Sequence, residues 1–200
     1  NMLPKWISEN CIQCGMCALV CPHAVIRPYL TKAGGNFDGV PTRPALGING
    51  YNFTIQISPE DCTGCSVCAN VCPSNNKALV MTEAEKIHDA ELANYNKIKD
   101  VTNPATPFPL SSIKGSQFRA PLFEFSGACA GCGETPYIKL LTQICGENLV
   151  IANATGCSSI YGGSFPTCPY TKTKNGFGPA WANSLFEDNA EFGYGYNLAY

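Results

Sequence analysis

Two copies of one cysteine pattern constrain this chain more than any other feature. The first is Cys11-Ile-Gln-Cys14-Gly-Met-Cys17-Ala-Leu-Val-Cys21-Pro22, and the second is Cys62-Thr-Gly-Cys65-Ser-Val-Cys68-Ala-Asn-Val-Cys72-Pro73. Both read Cys-x2-Cys-x2-Cys-x3-Cys-Pro without a gap. Two-residue gaps let a short loop wrap one face of a compact cubane with three thiolates, and the fourth iron needs a thiolate from elsewhere. In proteins with two [4Fe–4S] clusters, the fourth cysteine of such a run ligates the other cluster. The expected ligand sets are therefore Cys11, Cys14, Cys17 and Cys72 for one cluster, and Cys62, Cys65, Cys68 and Cys21 for the other.

The alternatives fit the spacing poorly. Thirteen cysteines could suit a secreted disulfide scaffold by count, but eight of them fall in two tight repeats that disulfide frameworks seldom show. Structural zinc commonly takes two separated Cys-x-x-Cys pairs, whereas each loop here offers three cysteines and a proline-marked fourth. Charged residues make up only 14% of the 200, and the net charge is −2 with no basic run, so nothing suggests binding to nucleic acid. No apolar stretch approaches the roughly 18 residues of a membrane span, and the start lacks a signal-peptide layout. The absence of start and stop signals at Asn1 and Tyr200 reads as a piece of a longer protein.

Around each motif the pattern is strand, loop, short helix, strand. Trp6-Ile7 and Val25-Ile26 flank the first; Phe53-Thr54-Ile55-Gln56-Ile57 and Ala78-Leu79-Val80-Met81 flank the second. The expected fold is an α+β ferredoxin-like module with pseudo-two-fold symmetry, cross-linked by its clusters. Cys21 and Cys72 are expected at the start of a short helix, with Pro22 and Pro73 just inside it. Gly15 and Gly64 mark tight turns in the loops. Ile12, Met16, Val20, Val67 and Val71 are expected to cover the clusters. A Gly/Pro-rich insert at 31–52 reads either as a docking loop or as a tolerated surface loop. Glu83 to Tyr95 is helix-prone until Pro104, Pro107 and Pro109 break it, and His23 and His88 read as packing or surface residues.

The second half opens with Gly127-Ala-Cys129-Ala-Gly-Cys132-Gly-Glu134-Thr135-Pro136, then Tyr137 to Cys145, whose apolar positions suit an amphipathic helix ending at Gly146. Leu149 to Ala154 reads as a buried parallel strand closed by Thr155-Gly156-Cys157-Ser158-Ser159. Helix, strand, then a turn of glycine and hydroxyl residues is how an α/β domain builds a ligand site at a strand's C-terminal end.

Together these strings resemble the C-terminal part of single-chain pyruvate:ferredoxin (flavodoxin) oxidoreductases, over essentially the whole chain. The resemblance implies a two-cluster ferredoxin-type domain at 1–83, a linker at 84–118, and at 119–200 the beginning of an α/β thiamine-diphosphate-binding domain. It implies a third [4Fe–4S] cluster on Cys129, Cys132 and Cys157, with its fourth ligand beyond Tyr200. It also places Glu134, Gly156 and Cys157 in the vicinity of thiamine diphosphate, whose Mg2+ is held mainly elsewhere. The implied activity is oxidative decarboxylation of pyruvate with coenzyme A. Electrons pass through three clusters to ferredoxin or flavodoxin, in a cytoplasmic or hydrogenosomal homodimer whose fragment alone is inactive. A polyferredoxin with an unrelated tail, or a related 2-oxo acid oxidoreductase, is the alternative. Cys145 and Cys168 read as ordinary buried cysteines.

Overall fold

The computed structural model describes residues 1–35, 37–163 and 168–200. Each cysteine motif is bracketed by two strands. β1 (Met2–Trp6) leads into the first motif, with α1 (Met16–Leu19) inside it, and β2 (Ile26–Lys32) leads out. After a short β3 (Arg43–Pro44), β4 (Tyr51–Ile57) leads into the second motif, with α2 (Val67–Val71) inside it, and β5 (Leu79–Glu83) leads out. The two halves are interleaved. β1 pairs antiparallel with β5, Met2 opposite Glu83 and Trp6 opposite Leu79, while β2 pairs antiparallel with β4, Ile26 opposite Ile57 and Lys32 opposite Tyr51. Every sheet thus takes one strand from each repeat, which sets the fourth cysteine of each motif beside the other half.

The core lies between these sheets. Trp6, Val25, Ile26, Leu30, Phe53, Ile55, Ile57, Ala78 and Leu79 pack together with Phe118 and with the cysteines Cys21 and Cys68. Trp6 and Phe118 each meet the Phe53 ring edge-on with centroids 6.1 Å apart, a preferred aromatic geometry.

The prolines act differently from the sequence expectation. α1 and α2 hold the third cysteine of each motif, Cys17 and Cys68, and end before Cys21 and Cys72. Pro22 and Pro73 therefore stand after the helices and not inside a helix start. A proline cannot continue a helix, so it stops each one where the fourth cysteine must turn towards the opposite half.

The insert at 31–52 is folded onto the module. Arg43 and Pro44 of β3 pair with Phe53 and Asn52, adding a third strand beside β4. The segment 84–118 is packed, not a free tether. α3 (Ala84–Ile98) buries Ile87 and Ile98, and Ile98 shares a small satellite core with Tyr29 and Val40. Lys97 donates to the Asp38 carbonyl at 2.8 Å. α4 (Ile113–Gln117) is capped by Ser112, whose hydroxyl accepts from the Gly115 N–H at 3.0 Å.

In the second half, α5 (Thr135–Cys145) carries Pro136 in its first turn and stops at Gly146. β6 (Val150–Ala154) runs parallel to β7 (Ala180–Ser184), Val150 opposite Ala180 and Ala154 opposite Ser184. α6 (Cys157–Gly163) follows β6, and α7 (Asn189–Ala199) closes the described chain. Two expectations fail here. The buried face of α5 is Thr135, Lys139, Thr142 and Gln143, while Tyr137, Leu141 and Ile144 face outward. The polar side of this helix points inward because it meets polar groups: α1 carbonyls at Lys139, the Leu122 N–H at Thr142, and the Arg119 carbonyl and Gln117 side chain at Gln143. Strand β6 is parallel as expected but mostly half-exposed, since it has a single partner strand.

Candidate metal centres

The eight motif cysteines line two cavities. One is walled by Cys11, Cys14, Cys17 and Cys72 with Trp6, Phe53, Ile55 and Leu79. The other is walled by Cys62, Cys65, Cys68 and Cys21 with Pro4, Val25, Ile26 and Met81. Each cavity takes three cysteines from one motif and the fourth from the other, as the interleaved strands require. Apart from Ile12, the residues expected as covers do not line them; the strands β1, β2, β4 and β5 supply the walls. Ile12 does line the first cavity but is 53% exposed. Among the described residues no three His, Cys, Asp or Glu side chains come close enough to share one metal ion. The thiols surround a volume, which suits a polynuclear cluster.

A buried indole N–H on the wall of the first cavity points the same way. Trp6 Nε1 is buried without a partner on the wall of the first cavity. His23 is held by its Nδ1, which donates to the Ser126 carbonyl at 3.0 Å. A buried indole N–H without an acceptor is costly, and a sulfur atom in the cavity would relieve it. Backbone N–H groups already turn towards thiols. That of Gln13 donates to Cys11 Sγ at 3.4 Å and that of Ala78 to Cys72 Sγ at 3.3 Å.

The loops reach this shape through paired left-handed residues. Gln13 and Gly15 have φ of +57° and +80°, and Gly64 and Ser66 have +67° and +66°. The two loops thus share one backbone, with glycine at opposite members of each pair. At Gly64 a Cβ would lie 2.7 Å from the Met2 carbonyl oxygen, so this glycine is also required by space. The strain at Gln13 is offset by the insert: its side-chain amide donates to the Pro44 carbonyl at 2.9 Å and accepts from the Leu46 N–H at 2.8 Å. Arg43 Nη1 gathers the carbonyls of Ser8, Glu9 and Cys11 at 2.8, 2.9 and 3.1 Å. The insert is a clamp on the first loop, a role its composition did not reveal.

Burial sets the thiol acidities. It pushes the Cys68 thiol up to about 12, helped by the thiols of Cys21, Cys62 and Cys65. Cys17 is pushed up further by burial, then by Cys11, Cys68 and Cys14.

The second half meets this module at several places, among them the Phe125 N–H on the His23 carbonyl at 2.9 Å and the Arg27–Glu124 ion pair. Lys139, 2% exposed, donates to the carbonyls of Ala18, Leu19 and Cys21, the last two at 3.0 and 3.3 Å. Burial lowers its ammonium to about 8, opposed chiefly by Cys21. The Cys129–Cys132 turn, closed by the Cys132 N–H on the Cys129 carbonyl at 3.0 Å, lies against the second motif: a Cβ on Gly131 would be 3.7 Å from Cys65 Cβ and from Val67 Cγ2. Glu134 stands at the start of α5 and accepts from Tyr161 of α6 at 2.5 Å. Burial and Glu134 push the Tyr161 phenol far up. Cys157 opens α6 and is exposed, as are Cys129, Glu134 and Gly156. The pair Glu134–Tyr161 therefore joins the Cys132 turn to the helix that begins at Cys157. Cys145 and Cys168 are exposed, not buried as their sequence context suggests.

No helix among the described residues is long and apolar enough to cross a membrane. A family profile described as a 4Fe-4S dicluster domain matches residues 10–76. The chain is 58% identical, over 98% of its length, to the pyruvate:ferredoxin oxidoreductase of Moorella thermoacetica. It is 49% identical over 98% to the pyruvate-flavodoxin oxidoreductase of a Nostoc species, and 54% over 98% to the mitochondrial pyruvate dehydrogenase [NADP(+)] of Euglena gracilis. It spans only 17%, 17% and 11% of those three proteins. The chain is thus a homologue of one segment of the pyruvate:ferredoxin and pyruvate-flavodoxin oxidoreductases, and it carries a 4Fe-4S dicluster domain.

Proposed function

We propose that this chain is the electron-carrying segment of an enzyme that oxidatively decarboxylates pyruvate with coenzyme A and delivers the electrons to ferredoxin or flavodoxin. In this reading Cys11, Cys14, Cys17 and Cys72 hold one [4Fe–4S] cluster, and Cys62, Cys65, Cys68 and Cys21 hold the other. The observation that carries it is the pair of cavities, each walled by three cysteines of one motif and one of the other.

Cys129, Cys132 and Cys157 contribute to a third cluster completed from outside these residues. Support comes from the Gly131 turn, which rests on Cys65 and Val67. Electrons arriving at the 129–132 turn would enter the Cys62 site first and leave through the Cys11 site. Residues 119–200 are read as the start of the thiamine-diphosphate domain. Glu134, oriented by Tyr161, and the Gly156–Cys157 turn face the cofactor, with Mg2+ held mainly by other segments. Thiamine diphosphate supplies the electron sink for loss of carbon dioxide. The residues of this chain hold the acceptor clusters, with Cys21 and Cys68 buried and the other six motif cysteines half-buried. All-cysteine ligation suits low potentials, roughly −400 mV and below.

Iron and sulfide analysis of the anaerobically purified full-length protein should give about twelve irons per chain, and about eight would remove the third cluster. Pyruvate-dependent ferredoxin reduction with coenzyme A is the direct assay, and its absence would sink the enzymatic reading. Cys21→Ser should damage the cluster on Cys62, Cys65 and Cys68 and spare the other; the opposite result overturns the crossed ligation.

A further inference from the structure

Lys139 reaches from α5 into the C-terminal end of α1 and is almost fully buried. Its amine meets three carbonyl oxygens, those of Ala18, Leu19 and Cys21. An ammonium has three N–H donors for three acceptors. A neutral amine has two, and its lone pair would face an oxygen. The geometry calls for the charged form.

A buried cation needs an anion close by, because losing its hydration is expensive. Among the described residues, the ion pairs are Arg27–Glu124, Lys86–Glu83 and His88–Asp89, and none includes Lys139. Glu124, the carboxylate on this side of the module, is committed to Arg27. The negative charge available to Lys139 is that of the cysteine sites: its amine holds the carbonyl of Cys21 itself and that of Ala18, the neighbour of Cys17. Cys21 lines one cavity and Cys17 the other.

We infer that Lys139 is a potential-setting residue: its buried positive charge, placed beside both four-cysteine sites, raises the reduction potentials of both clusters. This rests on reading the two sites as [4Fe–4S] clusters. Reduction adds one electron to a cluster and makes it more negative, so a fixed cation favours the reduced form. No bond or proton needs to move at Lys139. The charge comes from α5, in the second half of the chain. The dicluster module therefore takes its working potentials only when α5 is docked on it.

The test is redox titration of the cluster-loaded, anaerobically purified protein followed by electron paramagnetic resonance, with iron counted in each sample. Lys139→Gln keeps hydrogen-bond donors without the charge, and Lys139→Arg keeps the charge. The expected result is that the glutamine variant retains both clusters while both midpoints move to more negative values, with the arginine variant close to wild type. Unchanged midpoints in the glutamine variant overturn the inference. Loss of iron from that variant overturns it as well, since a charge that only tunes is dispensable for assembly. A wild-type protein without the [4Fe–4S] signals would sink the cluster reading itself, which is a separate outcome.

Discussion

Gly64 and Gln13 occupy equivalent places in the two cysteine loops, and their surroundings explain why one is glycine and the other is not. At Gly64 a positive φ coincides with the Met2 carbonyl 2.7 Å from any added Cβ. Gly64→Ala should therefore displace β1, lower stability by about 1–3 kcal/mol, and reduce the iron held by the Cys62 site. At Gly15 the nearest atom to a Cβ is 3.5 Å away, so Gly15→Ala carries only the left-handed strain of about 1–2 kcal/mol. Comparison of the two denaturant midpoints separates strain from crowding. Gln13 accepts the left-handed geometry because Pro44 and Leu46 complete its amide. Gln13→Ala leaves the Leu46 N–H unpaired and should cost about 1–3 kcal/mol, and chelator should strip iron faster from the Cys11 site than from the Cys62 site. The glycines were visible in the sequence, but the partners that let a glutamine stand in for one were not, because they lie in an insert without a motif of its own.

At the scale of elements, apolar residues around the motifs were enough to place β4 and β5 and showed only one end each of β1 and β2, and helix-forming composition was enough to place α3. What periodicity could not show is which face of a helix is covered. In α5 the outward side carries Tyr137, Leu141 and Ile144, and the inward side carries Lys139, which donates to α1 carbonyls, and Gln143, which donates to the Arg119 carbonyl and accepts from the Gln117 side chain. A hydrophobic pattern assumes that apolar residues meet the core, and here the core contact is a polar surface. The helix α3 and the insert depend on each other through Ile98, which is fully buried against Tyr29 and Val40. Ile98→Ala should cost about 2–5 kcal/mol. Limited proteolysis should then cut first within the 33–50 insert, while the visible absorption of the clusters persists. Cleavage elsewhere, with the insert still protected, would contradict this coupling.

In the molecule as a whole the cysteines are part of the core: Cys21 and Cys68 are buried, and Cys11, Cys17, Cys62 and Cys72 pack against them. Removing iron with chelator should therefore cost the module its tertiary structure, read as a change in near-ultraviolet circular dichroism from Trp6 and its neighbours. Thiols bind iron as thiolates, and a free cysteine thiol, titrating at 9.0, is protonated at neutral pH. Reassembly must then release protons, so reconstitution at fixed iron and sulfide should advance as pH rises from neutral towards 9.0, followed by proton release under pH-stat. The sequence by itself determined the cysteine grouping and the apolar flanks of each motif, because ligand spacing and strand patterning are local. Only the tertiary structure decided that the insert clamps the first loop, that the 129–132 turn rests on the second, and that a lysine from the far half lies beside both sites. Those contacts join residues far apart in the chain through backbone carbonyls and amides, which every residue carries and which therefore leave no mark in the sequence.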